Sequence, residues 1–240
     1  MSDFIWCDLS ALRPKKAAQF YHGVLGWQFD DPSNDYRYAF SDEAPVAAIF
    51  DMPPFFRKIK MPSFWMSYIR VDSVSDTVLN AKTAGGKVEL EEDFGDGKIA
   101  LIRDPLGAGF TVYQGGMQAG ATGLANAGLR VGHTLHVSSH DAVADFYRAT
   151  FGWTTSATGE GQWTISDPSG KKISDLKESS DVERGGFEYW GITFAVDDLE
   201  QSRRKIESLG GTVFAETPYG DRKAVSAADM DGAAFSVVAK

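Results

Sequence analysis

Hydrophobic and polar positions along the chain follow two periods in turn, and the switch between them recurs. The run Ile192 to Val196 sets apolar residues alternately against smaller ones, the pattern of a half-buried strand. Directly after it, Asp198 with Gln201 marks a helix start, because a short polar side chain can cap the free N–H groups of a first turn. Leu199, Ile206 and Leu209 continue as a helical stripe, and Gly210 ends it by supplying left-handed backbone. Ser73 with Asp76, and then Gly85-Gly86, repeat that start and stop earlier in the chain. Thr212-Val213-Phe214 and Ala234 to Val238 read as further strands on either side of a turn at Asp231-Gly232. The unit predicted is βαβββ.

The pattern repeats at larger scale as well. Trp6-Cys7-Asp8-Leu9, Phe20-Tyr21 and Leu25-Gly26-Trp27 lie without a gap over Gly132-His133-Thr134-Leu135, Phe146-Tyr147 and Phe151-Gly152-Trp153, an offset of 126 (Trp153 against Trp27). Trp65, Val71-Asp72, Gly85-Gly86 and Asp104 lie over Trp190, Val196-Asp197, Gly210-Gly211 and Asp229, an offset of 125 (Trp190 against Trp65). A repeat of this length means two equivalent domains, each of two βαβββ units. The expected division is residues 1–114, a Gly/Ala-rich linker at 115–128, and 129–240.

Composition narrows the partners. With 240 residues, 43% apolar and 24% charged, the chain can bury a sizeable core. Its 33 acidic against 24 basic residues give a net charge of -9, so it offers no electrostatic footprint for nucleic acid or an anionic membrane. Cys7, the single cysteine, cannot form an internal disulfide; the start resembles no secretion signal, and no apolar run approaches the roughly 20 residues of a membrane helix. A cytoplasmic location is expected.

The repeated Phe-Tyr…Leu/Phe-Gly-Trp segments, the Val-Asp helix starts and the runs Asp104-Pro105-Leu106-Gly107 and Asp229-Met230-Asp231-Gly232 resemble the vicinal oxygen chelate superfamily of glyoxalases, bleomycin-resistance proteins and extradiol dioxygenases. The opening Trp-x-Asp-Leu is similar to tandem glyoxalase-like proteins often labelled glyoxalase-related or hydroxylase. The resemblance implies an α+β fold of two tandem domains, each a half-open mixed β-barrel cup with flanking helices. In metal-dependent members, His, Gln or Glu residues on the cup strands hold a divalent ion that chelates substrate oxygens. Carried over, those positions fall on Trp6, Met66, Thr111 and the stretch Pro45 to Phe50 in the first half, and on Gly132, Gly191, Ser236 and Ser174 or Asp175 in the second. Trp donates only an N–H and cannot bind a cation. His133, His136 and Asp175 remain as metal candidates, although Val131, His133, Leu135 and Val137 would share a helix-packed face, leaving Thr134 and His136 toward the cup.

Alternate positions on the cup strands then give the candidate lining: Trp6, Asp8, Ser10, Met66, Tyr68, Arg70, Thr111 and Tyr113 in the first half, Thr134, His136, Trp163, Thr193 and Ser236 in the second. Asp8 could act as a general base with Arg70 or Tyr68 steadying developing charge, or could simply pair with Arg70. The favoured reading is a small-molecule-binding protein with degenerate metal sites and no cofactor, working as a monomeric pseudo-dimer or a homodimer. The alternative is a metal-dependent lyase, isomerase or dioxygenase using the second domain.

Overall fold

The computed structural model of the protein describes residues 2–31, 33, 35–95 and 97–240. Strand β1 (Asp3–Ala11) leads into helix α1 (Pro14–Leu25), then β2 (Gln28–Phe29), β3 (Tyr36–Ser41), β4 (Ala44–Asp51), α2 (Pro54–Lys58), β5 (Phe64–Arg70), α3 (Val74–Thr83), β6 (Lys87–Phe94), β7 (Gly97–Arg103) and β8 (Gly109–Gln114). The second half follows as β9 (Arg130–Val137), α4 (Asp141–Phe151), β10 (Thr154–Gly159), β11 (Gln162–Ser166), β12 (Lys172–Glu178), α5 (Asp181–Arg184), β13 (Tyr189–Val196), α6 (Leu199–Ser208), β14 (Thr212–Tyr219), β15 (Arg222–Ala228) and β16 (Ala234–Ala239). Each half makes one mixed eight-stranded sheet, ordered β2-β3-β4-β1-β5-β8-β7-β6 and β10-β11-β12-β9-β13-β16-β15-β14. The pairs β1–β4, β5–β8, β12–β9 and β13–β16 are parallel, as βαβββ units require. Ser73 and Asp198 cap α3 and α6 by accepting the N–H of Asp76 (3.1 Å) and Gln201 (2.8 Å). Among the described residues, no helix is long and apolar enough to cross a membrane.

Compactness does not follow the sequence halves. One unit comprises Trp6–Met66, Gly120–Gly132 and Gly191–Lys240, and the other Met1–Ile5, Ser67–Ala119 and His133–Trp190. They are called here the Tyr21 unit and the Tyr147 unit. In the Tyr21 unit α1 packs on α6 over buried Phe20, Tyr21, Trp27, Trp65, Phe194 and Phe235. In the Tyr147 unit α3 packs on α4 over Phe110, Phe146, Tyr147, Trp153 and Trp190.

The repeated residues meet across halves inside each unit. Trp65 Nε1 donates to the Tyr21 hydroxyl (3.0 Å), which donates to Asp229 Oδ2 (3.4 Å). Likewise Trp190 Nε1 donates to Tyr147 (3.0 Å), and Tyr147 to Asp104 Oδ2 (3.0 Å). The other oxygen of each carboxyl accepts backbone N–H groups of its own turn: Leu106, Gly107 and Ala108 on Asp104, Asp231 and Ala233 on Asp229. Burial pushes both carboxyls up to about 6 and both phenols well above their usual range. The paired glycines have the same logic. Gly85 and Gly210 take φ values of 90° and 85°, while a Cβ on Gly86 would come 2.5 Å from the Phe146 ring and one on Gly211 2.9 Å from the Phe20 ring. Each aromatic helix thus seats against a glycine of the opposite half.

The Gly/Ala-rich join is well tied down. Gly128 N–H donates to Ala195 O (2.7 Å), its carbonyl accepts from Trp27 Nε1 (2.8 Å), and Ala121 N–H donates to Pro45 O (2.9 Å). Its small residues let tryptophan rings approach the backbone.

Candidate functional site

On β1 the residues Cys7, Leu9 and Ala11 enter the helix-packed core, so Trp6, Asp8 and Ser10 face the other way. Register continues that outer face: Asp8 pairs with Ala48 and Ala48 with Tyr38, while Ser10 pairs with Phe50 and Phe50 with Tyr36. The result, wholly within the Tyr21 unit, is a ring-lined surface around a carboxylate. Trp6 Nε1 donates to the Tyr36 hydroxyl (2.9 Å), and Tyr36 donates to Asp8 Oδ2 (3.1 Å). Ring centroids lie 5.9 Å apart for Trp6–Tyr38, 5.3 Å for Tyr36–Tyr38 and 5.9 Å for Tyr36–Phe50. Trp6 and Asp8 are buried, Tyr36 and Phe50 half-buried, and Tyr38 is 44% exposed, so the outer rings are open to a ligand. Gly120 seats against the inner edge; a Cβ there would be 3.0 Å from the Trp6 ring. Met66 is buried in the same unit, and so is Cys7, whose thiol burial pushes up to about 12, leaving it inert.

In the Tyr147 unit, Tyr68 pairs with Thr111 and Arg70 with Tyr113 on the adjacent β5 and β8. Arg70 donates to the Met117 carbonyl, and the Met117 N–H donates to the Tyr113 hydroxyl (3.0 Å). These side chains therefore hold the segment that follows β8.

The second sheet separates its histidines by face. His133 lies buried with Leu135 and Val137 and stacks on Phe4 at 3.8 Å. His136 points oppositely, stacks on Tyr189 (4.7 Å, 15°) and pairs in register with Lys177. Burial, followed by the charges of Lys177 and Arg184, pushes its imidazole down to about 4, so it is neutral at pH 7. Burial likewise pushes the Tyr189 phenol up to about 12. Asp175 is salt-bridged to Lys172 at 2.7 Å. Thr193 and Ser236 are register partners on β13 and β16. Trp163 departs from the expected lining. It pairs with Leu176, a core residue, which places its ring on the helix-packed side, stacked on His140 at 4.2 Å.

Sequence reasoning missed Tyr36, Tyr38 and Phe50 on the first sheet, and Lys177, Arg184 and Tyr189 on the second. The alternation of Tyr36 and Tyr38 was the available signal. A cleft of about 410 Å³ at the start of α1 is lined by charged residues including Arg13, Lys15, Lys16, Arg37 and Asp51, and by none of the predicted site residues.

The donor sets do not fit a divalent cation. Trp6 offers an N–H already given to Tyr36, Met66 a soft thioether and Thr111 a hydroxyl, while Gly132, Gly191 and Ser236 supply at most one hydroxyl. His133 is stacked in the core and Asp175 is paired. Among the described residues, no group of three or more His, Cys, Asp or Glu side chains could hold a metal ion.

Comparison with known proteins places this architecture. Residues 5–112 match the family described as Glyoxalase/Bleomycin resistance protein/Dioxygenase superfamily, and residues 133–238 match a Glyoxalase-like domain. A Mycobacterium bovis protein named "Putative glyoxylase CFP32" is 33% identical over 252 residues, covering 97% of this chain and 93% of that protein. The "Anthracycline biosynthesis protein DnrV" of Streptomyces peucetius is 31% identical, covering 97% and 91%. A Mn(II)-bound glyoxalase from Novosphingobium aromaticivorans shares the fold with a TM-score of 0.66 at 13% identity, over 100% of this chain and 83% of that one. The 2,3-dioxygenase LapB from Pseudomonas sp. KL28 does so with 0.64 at 12% identity, over 99% and 92%. The chain belongs to the glyoxalase/bleomycin resistance protein/dioxygenase superfamily and carries two glyoxalase-like domains in tandem.

Proposed function

We propose that the protein binds a flat, ring-containing small molecule against the outer face of β1, β3 and β4, without a divalent metal. The observation that carries this reading is the chain of hydrogen bonds Trp6–Tyr36–Asp8 beneath the rings of Tyr38 and Phe50. Aromatic pairs contribute about 0.5–1.5 kcal/mol each beyond the area they bury, so two or three open rings supply useful affinity. Asp8 is 1% exposed and accepts the Tyr36 hydroxyl, which makes it a positioning group that fixes the ring plane. The relative named for anthracycline biosynthesis supports a fused-ring ligand, since anthracyclines are flat polycyclic compounds. We also propose domain limits of 1–114 and 129–240 with the join at 115–128.

The test is a tryptophan-fluorescence titration with a neutral anthraquinone in the presence of excess chelator. Saturable quenching, weakened about tenfold or more in Tyr38→Ala, is expected. If neither anthraquinone nor a panel of other fused-ring compounds binds, or if Tyr38→Ala binds as well as the parent, the reading fails.

A further inference from the structure

The Gly/Ala-rich join grips the hairpin of β3 and β4, which carries Tyr36, Tyr38 and Phe50, and both belong to the Tyr21 unit. Ala121 N–H donates to Pro45 O (2.9 Å), Asn126 Nδ2 donates to Asp42 Oδ2 (2.8 Å), and the Ala127 carbonyl accepts from Ser41 Oγ (2.6 Å). Beside the first of these anchors, Gly120 is buried against Trp6. A Cβ there would lie 3.0 Å from both Cε3 and Cζ3 of the indole and 3.2 Å from the Val46 carbonyl oxygen. Gly120 is outside the left-handed region of backbone space, so the close approach of the ring is what excludes a side chain.

The ring has little room to retreat. Trp6 is 4% exposed, its Nε1 donates to the Tyr36 hydroxyl at 2.9 Å, and its centroid lies 5.9 Å from that of Tyr38. The atoms that face residue 120 are on the six-membered ring of the indole, and the donating nitrogen is on the five-membered ring of the same rigid plane. A push on one edge therefore moves the other. The Tyr36 hydroxyl, which donates to Asp8 Oδ2 at 3.1 Å, then loses the aligned indole donor that holds it.

We propose that Gly120 is a positioning residue of the ring-lined face: having no side chain, it lets Trp6 lie where its N–H orders Tyr36, and so sets affinity for the ligand. The inference rests on the binding reading above and extends that site to the join.

The test compares Gly120→Ala, Trp6→Phe and the double variant. One readout is the Trp6 indole N–H resonance in NMR, assigned by its absence from Trp6→Phe; the other is calorimetric titration with the neutral anthraquinone. In Gly120→Ala the Trp6 resonance should move while those of the other tryptophans hold, and anthraquinone affinity should fall about fivefold. In the Trp6→Phe background the same substitution should change affinity by less than about twofold, because the ring edge it pushes is gone. Should Gly120→Ala fail to fold, the double variant must fold. An unmoved Trp6 resonance, full affinity in Gly120→Ala when Tyr38→Ala weakens binding, or additive losses in the double variant would each overturn the proposal. If no fused-ring compound binds the parent, the binding reading falls, and the Trp6 resonance alone decides whether Gly120 places the ring.

Discussion

The outer faces of β1 and β9 occupy equivalent places in the two copies of the repeat, but register gives them different chemistry. Asp8 and Ser10 correspond to Thr134 and His136; across the neighbouring strand, Ala48 and Phe50 correspond to Asp175 and Lys177, and Tyr38 and Tyr36 to Thr164 and Gln162. One face gathers aromatic rings over a carboxylate, and the other sets an imidazole beside Lys177 and stacked on Tyr189. On the inner faces the two copies are nearly superimposable in kind: Trp65–Tyr21–Asp229 in one unit, Trp190–Tyr147–Asp104 in the other. The difference teaches which part of a βαβββ repeat is constrained by packing. Rings that must fill a close-packed interior tolerate little change, whereas the opposite strand face can change its ligand chemistry without touching the core.

The largest test of that view addresses the shared part. Trp65→Ala and Trp190→Ala each remove a buried ring and a hydrogen bond to a buried tyrosine, and each should lower stability by about 3–5 kcal/mol in denaturant unfolding. A large loss for one and a negligible loss for the other would break the equivalence of the cores.

A second test uses pH. Asp104 and Asp229 are raised to about 6 in the folded protein, against about 3.9 unfolded, so the native state prefers them protonated. Their stabilisation is full below about pH 4 and lost as pH rises through 6, by roughly 2–3 kcal/mol for each. His136, lowered to about 4 from about 6.5, acts with opposite sign: stability is lost as pH falls across that interval. Relative to the parent, Asp104→Asn and Asp229→Asn should each make stability between pH 4 and 6 rise more, or fall less, with increasing pH, and His136→Gln should shift the slope the other way. Thermal unfolding across that range shows it, and unchanged slopes in all three variants would contradict the assigned environments.

The smallest effect concerns the outer face of the first sheet. Tyr38→Ala should weaken a fused-ring ligand about tenfold, roughly 1.4 kcal/mol, in a calorimetric titration, and an unchanged affinity would separate that ring from the ligand.

The fold was legible because its determinants are local and repeated: capping residues, glycine stops and alternating strands all recur at offsets of 126 and 125. The β1 face was legible for the same reason, since Cys7, Leu9 and Ala11 declare the core side. Tyr36 and Tyr38 were missed because their strand becomes a lining only through its register with β4. Trp163 was assigned to the wrong face because β11 takes its orientation from pairing with Leu176, a contact made by the fold. Arg184 lies in a polar run where no sequence signal sets it apart, and only its tertiary surroundings bury the side chain to 2% exposure. Leu209, read as part of the buried stripe of α6, is 40% exposed because it caps the helix end.

The most direct test of the central claim is a calorimetric titration of chelator-treated protein with the fused-ring ligand, accompanied by elemental analysis of the same sample. The account predicts stoichiometric binding at the Tyr36–Tyr38–Phe50 face with no bound Mn, Fe, Ni or Zn and no loss on chelation. Binding that disappears with the metal and returns on adding it back would contradict it.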